Sequence, residues 1–181
     1  MQIVNKVLLY SGGMDSWLIS KIYKPDLKIY VDMCSSYSKN ELINIKKNKN
    51  IKIIKLDLSL YERTDKIIPL RNMYLVMLAS KYGNEICIGA TAGDRVLDKT
   101  YKFCNLADNL LSYLYKPQHW NPVQRNINVV IPFKKYTKSK LVQMYVKKGG
   151  NIEKAFYETF SCYNPKKNKP CWNCNLAIEN G

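Results

Sequence analysis

One histidine, 14 acidic residues and no long apolar run are the scarcities of this 181-residue chain. The longest apolar stretches, Val7 to Tyr10 and Tyr74 to Ala79, fall far short of the ~20 residues a membrane-spanning helix requires, so no such span is expected. The start, MQIVNKVLLYSGG, lacks the basic opening, long apolar stretch and small-residue cleavage site of a secretory signal. The location this leaves is cytoplasmic, in a bacterial cell or a phage-infected host. The single histidine, His119, lies in a loop between Pro117 and Pro122 and is not counted among the catalytic candidates. No catalytic triad is evident.

What is present is ordinary globular composition, 46% hydrophobic and 24% charged, which excludes a disordered chain. The length suits one compact domain that needs no covalent staples. The 29 Lys and Arg residues give a net charge of +15, pointing to an anionic partner. The excess is spread along Lys-, Asn-, Ile- and Tyr-rich text such as residues 43–55 and is not gathered in a basic arm. Two explanations stay open: A/T-rich codon bias of a low-GC or phage genome, and an anionic ligand, either a nucleotide or a nucleic acid. Six cysteines without a secretory signal argue against a disulfide framework. Cys34, Cys87 and Cys104 are isolated and read as inert, whereas Cys162, Cys171 and Cys174 are clustered.

Apolar β-branched runs alternate with segments of helical period. Strands are expected at Ile3 to Tyr10, Lys28 to Met33, Ile51 to Leu56, Ile86 to Gly89 and Asn128 to Ile131. Helices are expected at Asp15 to Tyr23, about Lys39 to Lys47, from Pro69 to a C-cap at Gly83, Phe103 to Tyr115, and Lys138 to Lys148 behind the N-cap Thr137. This alternation means an α/β fold with a mostly parallel sheet flanked by helices, followed by a short Cys-rich C-terminal tail without periodicity.

The strongest signal is Ser11-Gly12-Gly13-Met14-Asp15-Ser16, set between the first strand and the first helix. A parallel sheet binds ligands at this place, outside the carboxyl end of a strand. Gly12 and Gly13 permit a close backbone approach, and the free amides of the helix start attract an anion. Ser11 and Ser16 add hydroxyl groups. A carboxylate at Asp15 would repel a bare anion, which points to Mg²⁺ carried on phosphates. Neither G-x-x-x-x-G-K-[ST] nor G-x-G-x-x-G occurs.

This SGG-x-DS segment resembles the pyrophosphate-binding loop (PP-loop) of the N-type ATP pyrophosphatases. The resemblance implies an adenine nucleotide alpha hydrolase-like, Rossmann-like fold, with ATP held by Ser11, Gly12, Gly13, Met14, Asp15 and Ser16 and by the main chain near Val31. Further segments are similar to the 7-cyano-7-deazaguanine synthase family (QueC). Ile68-Pro69-Leu70-Arg71-Asn72 resembles its P-x-R-N, which implies Arg71 at a phosphate or carboxylate. Gly89 to Asp94 resembles its G-x-x-x-x-D, which implies Asp94 at Mg²⁺ or at the guanine-like edge of the substrate. The chain departs from the family at Asp98-Lys99-Thr100-Tyr101-Lys102, where Tyr-Pro-Asp-Cys-Arg is usual. Substrate contacts are not carried across that stretch.

Pro132-Phe133 and Thr137-Lys138 resemble the family's P-[LF] and T-K-x-x-[IL]-V segments. Ser161-Cys162-Tyr163 and Cys171-Trp172-Asn173-Cys174 resemble its four-thiolate zinc site, which implies Cys162, Cys171 and Cys174 as ligands. Ala177 stands where the fourth cysteine belongs.

The reading is one ATP-binding α/β domain over residues 1–150 with a Cys-containing tail over 151–181 packed on it. The implied enzyme is an ATP-dependent C–N ligase that uses ATP, Mg²⁺ and Zn²⁺. It converts 7-carboxy-7-deazaguanine and ammonia through an acyl-adenylate and an amide to the nitrile, with Asp15, Arg71 and Asp94 at the chemistry. The product would serve tRNA or DNA modification. AMP-forming and ADP-forming chemistry both stay open, as does a homodimer. Nucleic acid is allowed as a partner but not required, and no membrane is expected. The alternatives are a tRNA-thiolation type of PP-loop enzyme and a non-catalytic nucleotide- or nucleic-acid-binding module.

Overall fold

The structure, a computed structural model, describes residues 3–46 and 48–159. Five strands, β1 (Val4–Leu9), β2 (Leu27–Asp32), β3 (Ile51–Lys55), β4 (Gly83–Cys87) and β5 (Asn128–Val130), form one sheet in the order β3-β2-β1-β4-β5. Every neighbouring pair is parallel. Among the described residues six α-helices accompany them: α1 (Met14–Tyr23), α2 (Ser38–Ile45), α3 (Arg71–Ser80), α4 (Tyr101–Leu114), α5 (Lys138–Lys147) and α6 (Glu153–Glu158). The fold is therefore the Rossmann-like α/β arrangement. Its strand order reverses between β1 and β4, which opens a crevice at their carboxyl ends.

The period-two alternation of the strands sorts side chains into two layers. Val7, Leu9, Ile29, Val31, Ile86 and Ile88 pack with Val76 and Ala79 of α3 and with Cys104, Ala107 and Leu111 of α4. Leu8, Tyr10, Tyr30 and Cys87 point the other way, onto Trp17, Leu18 and Ile19 of α1, Ile45 of α2, Leu141 of α5 and Ala155 of α6. Cys87 and Cys104 are buried, and burial pushes both thiols up, Cys104 to about 11, which keeps them protonated and unreactive.

Most element ends shift by one to three residues from the sequence expectation, and three differences have a clear physical reason. The third helix begins at Arg71 and not at Pro69, because Leu70 adopts a left-handed conformation (φ 58°) that continues no helix. Its carbonyl still accepts from the amides of Met73 and Tyr74. Gly83 is not a helix cap. It opens β4 opposite Val4, where a Cβ would meet Val7 Cγ2 at 2.5 Å, so the glycine serves the close approach of two central strands. Finally, α6 lies where no periodicity was read. Glu158 ties it down: its carboxylate accepts from Trp17 Nε1 at 2.8 Å and its carbonyl from Asn44 Nδ2 at 3.2 Å. Residues 151–159 thus pack against α1 and α2, while Cys162, Cys171, Cys174 and Ala177 lie outside the described residues. Among the described residues, no helix is long and apolar enough to cross a membrane.

Candidate active site

The loop that links β1 to α1 is held by its own hydrogen bonds and by α2. Gly12 takes φ +78°, a conformation that disfavours any side chain, and its Cα faces Ile45 of α2. The Ser11 amide donates to Ser16 Oγ at 3.3 Å, and the two hydroxyls lie 3.1 Å apart. Ser16 Oγ donates in turn to the Gly13 carbonyl at 3.0 Å. Gly13 is the N-cap of α1 and supplies no side-chain cap, so the first amides of the helix are not satisfied by the residue that usually does so. Asn44 Nδ2 donates to the Gly12 carbonyl at 3.3 Å and fastens α2 to the back of the loop. The result is an anion cradle at a helix N-terminus.

The cradle opens into a cleft of about 140 Å³ at the carboxyl ends of β1, β2 and β4. Ser11 lines it from the loop, Asp15 and Ser16 from the first turn of α1, Tyr30 and Val31 from β2, and Arg71, Asn72 and Leu75 from α3. Asp15, Arg71 and Val31, which the sequence places far apart, thus share one cavity. Gly12, Gly13 and Met14 do not line it, and Met14 is buried in the core. Lys138, the first residue of α5, brings its ammonium to 3.7 Å from Asp15 Oδ1.

Asp94 is not among the residues that line the cleft. Its carboxylate accepts from Lys99 Nζ at 2.6 Å and from the Thr91 amide at 2.7 Å. Lys134 Nζ donates to the Asp94 and Thr91 carbonyls. Burial works against the Asp94 charge, but Lys99, the Thr91 amide and Lys134 outweigh it and hold the carboxyl below its usual range. In this arrangement Asp94 fastens the loop after β4. Among the described residues, no group of three or more His, Cys, Asp or Glu is arranged to hold a metal ion.

Sequence reasoning passed over Glu41. This residue sits in the first turn of α2, lines the same cleft, and accepts from Tyr30 Oη at 2.8 Å. Burial pushes its carboxyl up to about 7, against the pull of Tyr30 and of Arg71 across the cleft. An acidic residue at the start of a polar helix reads as a dipole partner, so only the folded sheet order reveals it as a cleft residue.

The sequence matches the family model described as Queuosine biosynthesis protein QueC over residues 27–179. That match begins at β2, so it includes Arg71, Asp94 and the clustered cysteines but not the loop at Ser11 to Ser16. No curated protein matches the chain. A solved structure described as a predicted subunit of tRNA methyltransferase from Methanocaldococcus jannaschii superposes with a TM-score of 0.53 at 21% identity. The likeness covers 80% of this chain and 76% of that one, and it speaks for the fold alone.

Proposed function

The chain belongs to the queuosine biosynthesis protein QueC family, and on that footing we propose that it is an ATP-dependent 7-cyano-7-deazaguanine synthase. The observation that supports the reading is that Ser11, Asp15 and Ser16, at the N-terminus of α1, line the same cleft as Arg71 at the switch point of the sheet. A carboxylate is a poor electrophile until one of its oxygens carries a good leaving group. In the proposed reaction the substrate carboxylate attacks the α-phosphorus of ATP, a C–O–P bond forms, and pyrophosphate leaves into the cradle at Ser11 to Ser16. Ammonia then attacks the acyl carbon. The C–N bond forms, the C–O bond to AMP breaks, and the nitrogen gives up a proton. The amide oxygen then attacks the α-phosphorus of a second ATP with loss of a second pyrophosphate, and cleavage of the C–O bond to AMP with loss of two protons from nitrogen yields the nitrile.

The residues of this chain supply position and charge. The helix amides and the Ser11 and Ser16 hydroxyls orient the phosphates, and Lys138 adds a cation beside them. Arg71 offers a planar guanidinium for a phosphate or for the substrate carboxylate. Asp15 presents hard carboxylate oxygens at the edge of the cradle and suits Mg²⁺, which when bound would neutralise charge on the departing pyrophosphate. Zinc on Cys162, Cys171 and Cys174 is proposed from the sequence pattern alone, and no step passes through it. Metal analysis of the purified protein tests it, and a zinc content near zero overturns it.

The reaction is tested by mass spectrometry of an incubation with ATP, Mg²⁺, ammonium and 7-carboxy-7-deazaguanine, with Asp15→Ala as control. Amide or nitrile together with AMP is the expected result. ATP binding without either product overturns the synthase reading.

A further inference from the structure

We propose that the Glu41 carboxylate receives the ribose hydroxyls of the bound nucleotide, so that this site selects ribonucleoside over 2′-deoxyribonucleoside triphosphates. The inference rests on the ATP-dependent reading above and adds to it a sugar subsite.

The argument begins with one face of α2. Glu41, Asn44 and Ile45 stand at i, i+3 and i+4, so they share that face. Asn44 holds the Gly12 carbonyl at 3.3 Å, and Ile45 Cδ1 lies 3.0 Å from where a Gly12 Cβ would stand. This face of α2 therefore lies directly on the phosphate cradle. Glu41 comes three residues before Asn44, which at a rise of ~1.5 Å per residue puts it about 4.5 Å further along the helix. It still lines the cleft, on the side of Tyr30 and Val31. A nucleotide whose phosphates fill the cradle and whose base runs toward β2 places its sugar about one helical turn from the loop. That is where Glu41 stands.

The chemistry of the position agrees. A carboxylate repels phosphate oxygens and the ring-nitrogen acceptors of a purine, but a vicinal diol offers it two O–H donors. Tyr30 Oη fixes the carboxylate by donating to Oε2 at 2.8 Å, and four lone-pair sites on two oxygens leave capacity for a diol. Arg71 lines the same cleft from α3 and favours the charged form of Glu41.

The test is equilibrium binding of ATP, 2′-deoxy-ATP and ITP with Mg²⁺, measured by calorimetry on the full chain and on Glu41→Gln. The wild-type chain is expected to favour ATP over 2′-deoxy-ATP about tenfold or more, the value of a hydrogen bond to a charged group. Glu41→Gln is expected to bring that ratio within about threefold while ATP still binds and the ATP-to-ITP ratio stays put. Tyr30→Phe, which keeps the ring and frees the carboxylate, is expected to give an intermediate ratio, and it stands in if Glu41→Gln does not fold. An unchanged deoxy ratio in the variant, or a loss confined to the ATP-to-ITP ratio, overturns the inference and leaves the nucleotide reading intact. A wild-type chain that binds none of the three overturns both.

Discussion

Lys138, the first residue of α5, holds its ammonium 3.7 Å from the Asp15 carboxylate in the first turn of α1. Thr137 sets this up by capping α5, accepting from the Lys140 amide at 3.2 Å, so the lysine leaves the helix start toward the cleft. The pair is partly exposed and contributes about 1 kcal/mol or less to stability. In the proposed reaction its weight falls instead on charge at the phosphates. Lys138→Ala is expected to lower kcat/KM for ATP about tenfold to a hundredfold, with the far-UV circular dichroism unchanged and stability reduced by about 1 kcal/mol or less. The deficit should widen as salt is reduced, because the lost contact is electrostatic. Steady-state kinetics at two ionic strengths check it, and an equal loss of folding would point to a structural role.

Two glycines make opposite predictions. Gly12 takes φ +78° with only the flexible tip of Ile45 at 3.0 Å, so Gly12→Ala costs about 1–2 kcal/mol of backbone strain and deforms the cradle. Nucleotide binding is expected to fall further than stability does. Gly83 has ordinary backbone angles, but an added Cβ would sit 2.5 Å from Val7 Cγ2 and 3.2 Å from the Val4 carbonyl. Gly83→Ala therefore overpacks the centre of the sheet, at a cost of about 1–3 kcal/mol, while a chain that still folds keeps its ATP affinity. Urea denaturation and ATP titration of both variants separate the two roles.

The same contrast explains what the sequence made legible. The loop at Ser11 to Ser16 is contiguous, so its glycines, hydroxyls and helix start could be read together as a phosphate cradle. The five strands were visible as β-branched runs. Gly83 was misread because a glycine after a helical period looks like a cap, and only the Val4 pairing shows the crowding that needs it. Glu41 and Lys138 were hidden for another reason. The order β3-β2-β1-β4-β5 gathers the starts of α1, α2, α3 and α5 at one end, and neither spacing nor composition encodes which side chains meet there. Asp94 differs again: the motif implies it at Mg²⁺ or at the guanine-like edge of the substrate, and spacing alone does not show the Lys99 ammonium that its carboxylate engages.

That engagement has a measurable consequence. Asp94 accepts from Lys99 and from the Thr91 amide, and these partners, with Lys134, hold its carboxyl below the ordinary range although burial opposes them. A depressed carboxyl contributes stability that is present above its unfolded pKa and lost as pH falls through the folded one. Asp94→Asn is thus expected to cost about 1–3 kcal/mol near neutral pH. The gap between variant and wild type should close as the pH approaches the acid limit. Urea melts at pH 7 and at pH 3 measure it, and a gap independent of pH would show that the loop does not depend on the charge.

Glu41 carries the opposite sign. Burial raises its carboxyl from the ordinary 4.5 to about 7, even though the Tyr30 hydroxyl and Arg71 favour the charge; Asp32, on the same strand as Tyr30, adds to the rise. Between those two values the folded chain binds more protons than the unfolded one, so stability falls as pH rises. The contribution of neutral Glu41 is complete below about 4.5, declines through the window, and is gone above about 7. Glu41→Gln removes the titration while keeping an acceptor for Tyr30. The variant is therefore expected to match the wild type near pH 5 and to exceed it at pH 8. Because Asp94 and the other carboxylates are common to both proteins, the difference between the two urea curves isolates Glu41. A difference that stays constant between pH 5 and pH 8 would mean that the carboxyl titrates near its ordinary value and that the cleft does not desolvate it.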